Sequence, residues 1–129
     1  MAVAALLAPA GCSLGADEEP QRASGATADV AAVVAGLERA TRDGDFATVC
    51  DDILTRAARE RAGGRDCARL VRSASEGVRR PAIQVRAIRV EGGRARVIVR
   101  TTAAGQVPVT DRLDLRREQG EWRVEALLD

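Results

Sequence analysis

The spacing of apolar residues changes at Pro81, and that change constrains the fold more than any other feature of the chain. Before it, Val30, Val33, Val34 and Leu37 recur at i, i+3, i+4 and i+7, the stripe of an amphipathic helix. After it, apolar and polar residues alternate, which is the period of a strand with one buried face. A chain that is helical first and stranded second places its helices on one face of an antiparallel sheet, so the expected class is α+β.

In the helical half, Thr27 is a good N-cap with Asp29 in the first turn, and Arg42 to Asp45 (RDGD) breaks the first helix. Asp45 can cap a second helix in which Phe46, Cys50, Ile53 and Ala57 line one face, with Thr55 restarting it at a slight angle. Gly63-Gly64 ends that helix, and a third carries Cys67, Leu70, Val71, Ala74 and Val78 at helical spacing.

In the strand half, Ala82 to Val90 leads through Gly92-Gly93, a good two-residue hairpin turn, into Arg94 to Thr101. The next strand puts Val107, Val109, Leu113 and Leu115 on one face and Thr110, Arg112, Asp114 and Arg116 on the other, with Pro108 at its exposed beginning. Gln119-Gly120 then turns into a last strand where Trp122, Val124, Ala126 and Leu128 alternate with Glu121, Arg123 and Glu125. Three helices thus precede a four-stranded antiparallel meander with one apolar face. On its polar face, Arg112, Asp114 and Arg116 are expected to oppose Glu121, Arg123 and Glu125 in weak cross-strand ion pairs. The competing reading of that face is a docking surface for a partner or an anionic polymer, and Arg94, Arg96 and Arg100 on alternate positions are its support.

Cys50 and Cys67 fall on the apolar faces of adjacent helices that a Gly-Gly turn folds back on each other. They are placed to form a disulfide, which would stabilise by about 3 kcal/mol for a loop of this length. The alternative is two separate buried thiols that pack as small hydrophobes.

The third cysteine has a different setting. Residues 1–12 (MAVAALLAPAGC) form an apolar run ending in small residues, too short to span a bilayer and of the length of a signal's apolar region, though without a positively charged start. Ala10-Gly11-Cys12 resembles the end of a bacterial lipobox, which makes Cys12 the expected lipidation site, with Pro9 standing where an aliphatic residue is usual. Two alternatives stand beside it: cleavage after Ala8-Pro9-Ala10, giving a secreted protein, and an ordinary apolar helix of a cytosolic one. Residues 13–27, rich in Gly, Ser and charge, are expected to be a flexible tether, and residues 28–129 the folded domain.

Composition prunes the function classes. The chain of 129 residues has no His and no Tyr, so the commonest general base, the commonest metal ligand and the centre of a Ser-His-Asp triad are missing. No metal and no cofactor are expected. A formal net charge of +1 gives no field to gather nucleic acid or an anionic membrane surface.

The order of elements resembles the nuclear transport factor 2-like superfamily, a cystatin-like cone in which a curved sheet wraps a long helix. Within it the chain is similar to small actinobacterial lipoproteins. The marks are Gly44-Asp45 to Cys50 after the first helix, Ile53 to Thr55, Cys67 opening the next helix, and the closing Glu121 to Leu127. The short strand that many members place between the second and third helices is missing. The resemblance implies a cone used either as an active site or as a bare binding scaffold. Isomerase and cyclase members pair an acid with Tyr or His, neither of which exists here, so a non-catalytic domain anchored outside the cytoplasmic membrane is expected. Its expected partner is an envelope protein or a small apolar ligand, with Phe46 and Trp122, the only aromatic residues, as candidate pocket lining. The alternatives are a small cone enzyme acting on a hydrophobic substrate and a dimerisation module that pairs through its sheet.

Overall fold

A computed structural model describes the backbone of residues 18–128 and the side chains of residues 25–128. The α+β order stands: helices α1 (Glu18–Asp43), α2 (Phe46–Thr48), α3 (Arg56–Arg61) and α4 (Cys67–Ala74) precede strands β1 (Ala82–Glu91), β2 (Arg94–Thr102), β3 (Val109–Glu118) and β4 (Glu121–Leu128). The strands form one antiparallel meander in the order β1-β2-β3-β4.

Helix α1 begins at Glu18, inside the stretch read as a tether, rather than at Thr27. Val30 and Val34 are the buried ridge of α1, and Gly44, at φ +68°, lets the chain leave the helix. Asp45 then caps α2, accepting from the Thr48 backbone N–H at 3.2 Å and from Thr48 Oγ1 at 2.7 Å.

The second helix departs from its expected face. After Thr48 the chain widens into a π-helical turn, Val49–Ile53, closed by the Leu54 N–H donating to the Val49 carbonyl at 2.9 Å. Leu54 is extended and forms a parallel bridge to Val124, and the Thr55 N–H donates to the Val124 carbonyl at 3.0 Å. That single bridge interrupts the stretch read as one second helix. The extra residue of the π-turn rotates the next helix, so Ala58 is buried in place of Ala57. Thr55 caps the restarted helix α3 by accepting from the Ala58 N–H at 3.0 Å.

Cys50 and Cys67 are joined, their Cα atoms 6.1 Å apart, which ties the π-turn to the start of α4. Gly63, between α3 and α4, takes φ +125°, and a Cβ there would come within 2.5 Å of Leu70 Cδ1. Val78 lies past the end of α4, beyond the turn at Gly77, and is exposed.

The sheet curves because two of its strands carry bulges. In β1 the register slips between Val85 and Ala87, so Ile83 and Val85 share the inner face with Ile88 and Val90. In β4, Val124 pairs with Leu115 and Ala126 with Asp114, leaving Glu125 as the extra residue. The alternation expected through Ala126 and Leu128 therefore breaks: these pair with Asp114 and Arg112 of the outer face, and Leu127 pairs with Leu113. The inner face of β3 differs too, since Val109 is exposed and Asp111 is buried, and Val107 lies exposed before the strand begins. Ala95, Val97, Val99, Leu113, Leu115, Trp122 and Val124 form the core with Val30, Val34, Phe46, Val49 and Ile53. Each large aliphatic side chain buried there contributes about 1.5–3 kcal/mol.

The outer face corrects the expected ion pairs. Arg116 lies directly opposite Arg123 and Glu118 opposite Glu121, so like charges meet across the last hairpin. The turn at Gln119 and Gly120, both at positive φ, is what fixes this register. Within β3 and β4 the acids bind along their own strand instead, Asp114 to Arg112 at 3.0 Å and Glu121 to Arg123 at 3.3 Å, and Asp114 also pairs with Arg96 of β2 at 4.0 Å.

Candidate ligand cavity

Between α1, the segment Leu54–Ala62 and the inner face of the sheet lies a cavity of about 490 Å3. Its walls are aliphatic: Leu37 from α1, Leu54 and Ala58 from the helical layer, and Ile83, Val99, Leu113 and Val124 from the four strands. Leu127, Ala62, Thr101, Arg61 and Glu125 complete the lining. The volume lies within the roughly 300–1,000 Å3 typical of small-molecule sites, and the lining is of the apolar kind they favour.

Glu125 of the lining is held by residues from two irregularities of the chain. The bulge carries Glu125, and the break after the π-turn carries Thr55. Thr55 Oγ1 donates to Glu125 Oε2 at 2.5 Å, and Arg61 Nη1 lies 3.6 Å from Glu125 Oε1. Arg61 Nη2 also donates to the Glu125 carbonyl at 2.5 Å. Both carboxylate oxygens are thus engaged within the protein. Such a group orients a polar head and is poorly placed to take a proton from a substrate carbon.

Asp111 is a second acid on the inner face, 9% exposed and directly opposite Val99. Its Oδ1 has no hydrogen-bond partner among the described residues, and it is not part of the cavity lining. No group of three or more residues that could hold a metal occurs among the described residues, and no described helix is long and apolar enough to cross a membrane.

The expected site residues fall into three settings. Phe46 and Trp122 are each 6% exposed core residues, and neither lines the cavity. Each lies under a guanidinium, Arg72 at 5.2 Å and Arg117 at 5.5 Å from the ring centroids. Their bulk serves packing, and the lining falls to smaller aliphatic residues. Cys50 and Cys67 are bonded to each other, and Cys12 lies outside the described residues. Thr55, Arg61, Glu125 and Asp111 were missed by sequence reasoning. For Asp111 the signal was present, because it shares the parity of Leu113 and Leu115.

No family profile matches the chain, and no curated protein matches it. Solved structures do. An NTF-2-like protein of unknown function from Silicibacter pomeroyi is 19% identical, with a TM-score of 0.62 over 81% of this chain and 93% of that one. A SEC-C motif containing protein from Rhodopseudomonas palustris is 19% identical, with a TM-score of 0.57 over 74% of each chain. A de novo designed protein of NTF2 fold is 16% identical, with a TM-score of 0.55 over 78% of this chain and 84% of that one. At such identities the likeness speaks for the fold alone, and the fold of this chain is the nuclear transport factor 2-like α+β cone.

Proposed function

We propose that this is a non-catalytic binding domain of the bacterial cell envelope, lipid-anchored through Cys12, that holds a small apolar ligand in the cone. The observation that carries the binding role is the aliphatic cavity of about 490 Å3, whose polar lining is limited to Arg61, Thr101 and Glu125. The ligand class follows from that lining: an apolar body that fills the aliphatic walls, with one polar group reaching Arg61, Thr101 or Glu125. The extracytoplasmic address rests on Ala10-Gly11-Cys12 and is compatible with the Cys50–Cys67 bond, since disulfides persist mainly in oxidising compartments. The non-catalytic reading is supported by the engagement of both Glu125 oxygens and by a sequence without His or Tyr.

A small cone enzyme is the second reading, and Asp111 is the observation that favours it, as a buried acid with one oxygen unpartnered among the described residues. Two experiments test the cavity and the anchor of the first reading. Titration with the neutral fluorescent probe N-phenyl-1-naphthylamine should saturate at one site, and Ala62→Trp, which fills the lining, should abolish it. If Ala62→Trp binds the probe as the wild type does, the cavity is not the site. Intact mass of the protein from membranes of its own cell should show a chain starting at a diacylglyceryl-modified Cys12. A chain retaining Met1 without lipid would end the anchor reading.

A further inference from the structure

The outer face of the sheet carries an arrangement that the cavity does not use. Arg94 lies directly opposite Arg116, and Arg116 directly opposite Arg123, so one row of three arginines crosses β2, β3 and β4 with no acid between them. Like charges directly opposite each other in a sheet are destabilising. The nearby acids are committed elsewhere: Asp114 to Arg112 at 3.0 Å and Arg96 at 4.0 Å, Glu91 to Arg89 at 2.9 Å, and Glu125 to Thr55 and Arg61. Among the described residues, no acid forms an ion pair with Arg94 or Arg116. Arg123 is fixed in place, its Nη1 donating to the Asp51 carbonyl at 2.9 Å and its Nη2 paired with Glu121 at 3.3 Å, so Arg94 and Arg116 are the members of the row without an acid.

Arg94 and Arg116 do not stand on a flat surface. With Arg89 and Arg96 they line a groove of about 500 Å3, in which Glu91, Asp114 and Glu125 are the lining acids, each already paired with an arginine. A concavity of that size fits one small molecule. Guanidinium groups present planar forks that match phosphoryl oxygens, and an anion between two unpaired arginines relieves the repulsion that the register imposes.

We propose that this groove is an anion site for a small, soluble phosphate-bearing ligand, with Arg94 and Arg116 as its principal donors. The proposal does not depend on the apolar cavity, with which the groove shares only the lining residue Glu125. The probe is inorganic pyrophosphate, titrated calorimetrically into the protein at low salt, where screening is weak. The expected result is saturable binding at one site, weakened about tenfold or more in Arg116→Gln and in Arg94→Gln, as loss of charge-assisted bonds predicts. Arg65→Gln, on an exposed turn away from the groove, should bind as the wild type does. Without ligand, Arg116→Gln should melt at or above the wild-type temperature, because it removes a repulsion, so lost binding cannot be ascribed to unfolding. Absence of saturation, equal affinity of Arg116→Gln and wild type, or an equal loss in Arg65→Gln would overturn the proposal. So would Arg116-dependent binding to phosphatidylglycerol vesicles without binding of pyrophosphate, which would make the face a headgroup contact.

Discussion

On β3, Leu113 and Leu115 are 3% and 2% exposed, while Arg116 on the opposite face stands in solvent across from two other arginines. The inner face is held by dispersion and the exclusion of water, which are indifferent to pairing detail. The outer face is electrostatic, and there the register decides whether neighbours attract or repel. A one-residue slip would exchange the two sets of side chains, so the buried set fixes the register and the charged set must accept it. The like-charge rows on the outer face result from an alignment chosen by the inner face and by the turn at Gln119-Gly120.

This contrast can be broken at several points. The largest effect is expected from Leu115→Ala, which should cost about 2–5 kcal/mol in chemical denaturation, because the site is closely packed and cannot collapse freely. Removing the staple with Cys50→Ala and Cys67→Ala together should cost about 3 kcal/mol, read as a lower denaturation midpoint than that of the oxidised wild type. Thr55→Val removes the α3 cap and leaves Glu125 Oε2 without its donor, so a loss of about 1–2 kcal/mol is expected, along with altered probe affinity in the cavity.

Asp45 gives the pH test. Its carboxyl is held below the ordinary 3.8, chiefly by the Thr48 hydroxyl and then by the Thr48 backbone N–H. A lowered folded value means that its contribution is present above 3.8 and is lost as the pH falls through the lowered value. Thermal melts of Asp45→Asn should therefore show a flatter acid limb than the wild type. The smallest effect belongs to the outer face: Arg116→Glu, placed between Arg94 and Arg123, should stabilise by a few tenths of a kcal/mol at low salt. A destabilisation there, with the fold intact, would mean that the arginine row is not repulsive.

How much of this was legible in the sequence depends on whether a feature is local. The break at Arg42–Asp45, the turns at Gly92-Gly93 and Gln119-Gly120, and the helical placement of Cys50 and Cys67 all arise from residues close to one another, and the structure contains them. The bulge in β1 was also written there, since Ile83 and Val85 are succeeded by Ile88 and Val90 with the phase advanced by one. The site itself was not legible. It depends on a π-turn that rotates Leu54 and Thr55 toward β4 and on a bulge that places Glu125 at the cavity, partners 70 residues apart whose meeting no local pattern encodes. Phe46 and Trp122 are rare and large, yet such rings serve the closed part of the core, and an open cavity is left where side chains are smaller.

The claim that the inner face is the apolar binding site is tested most directly by methyl-resolved NMR during titration with N-phenyl-1-naphthylamine. The account predicts saturable shifts at the methyl groups of Leu37, Leu54, Val99 and Leu113, with Ile98 and Leu128 of the outer register unmoved. Shifts centred on Ile98 and Leu128, or none at the four lining residues at saturation, would contradict it.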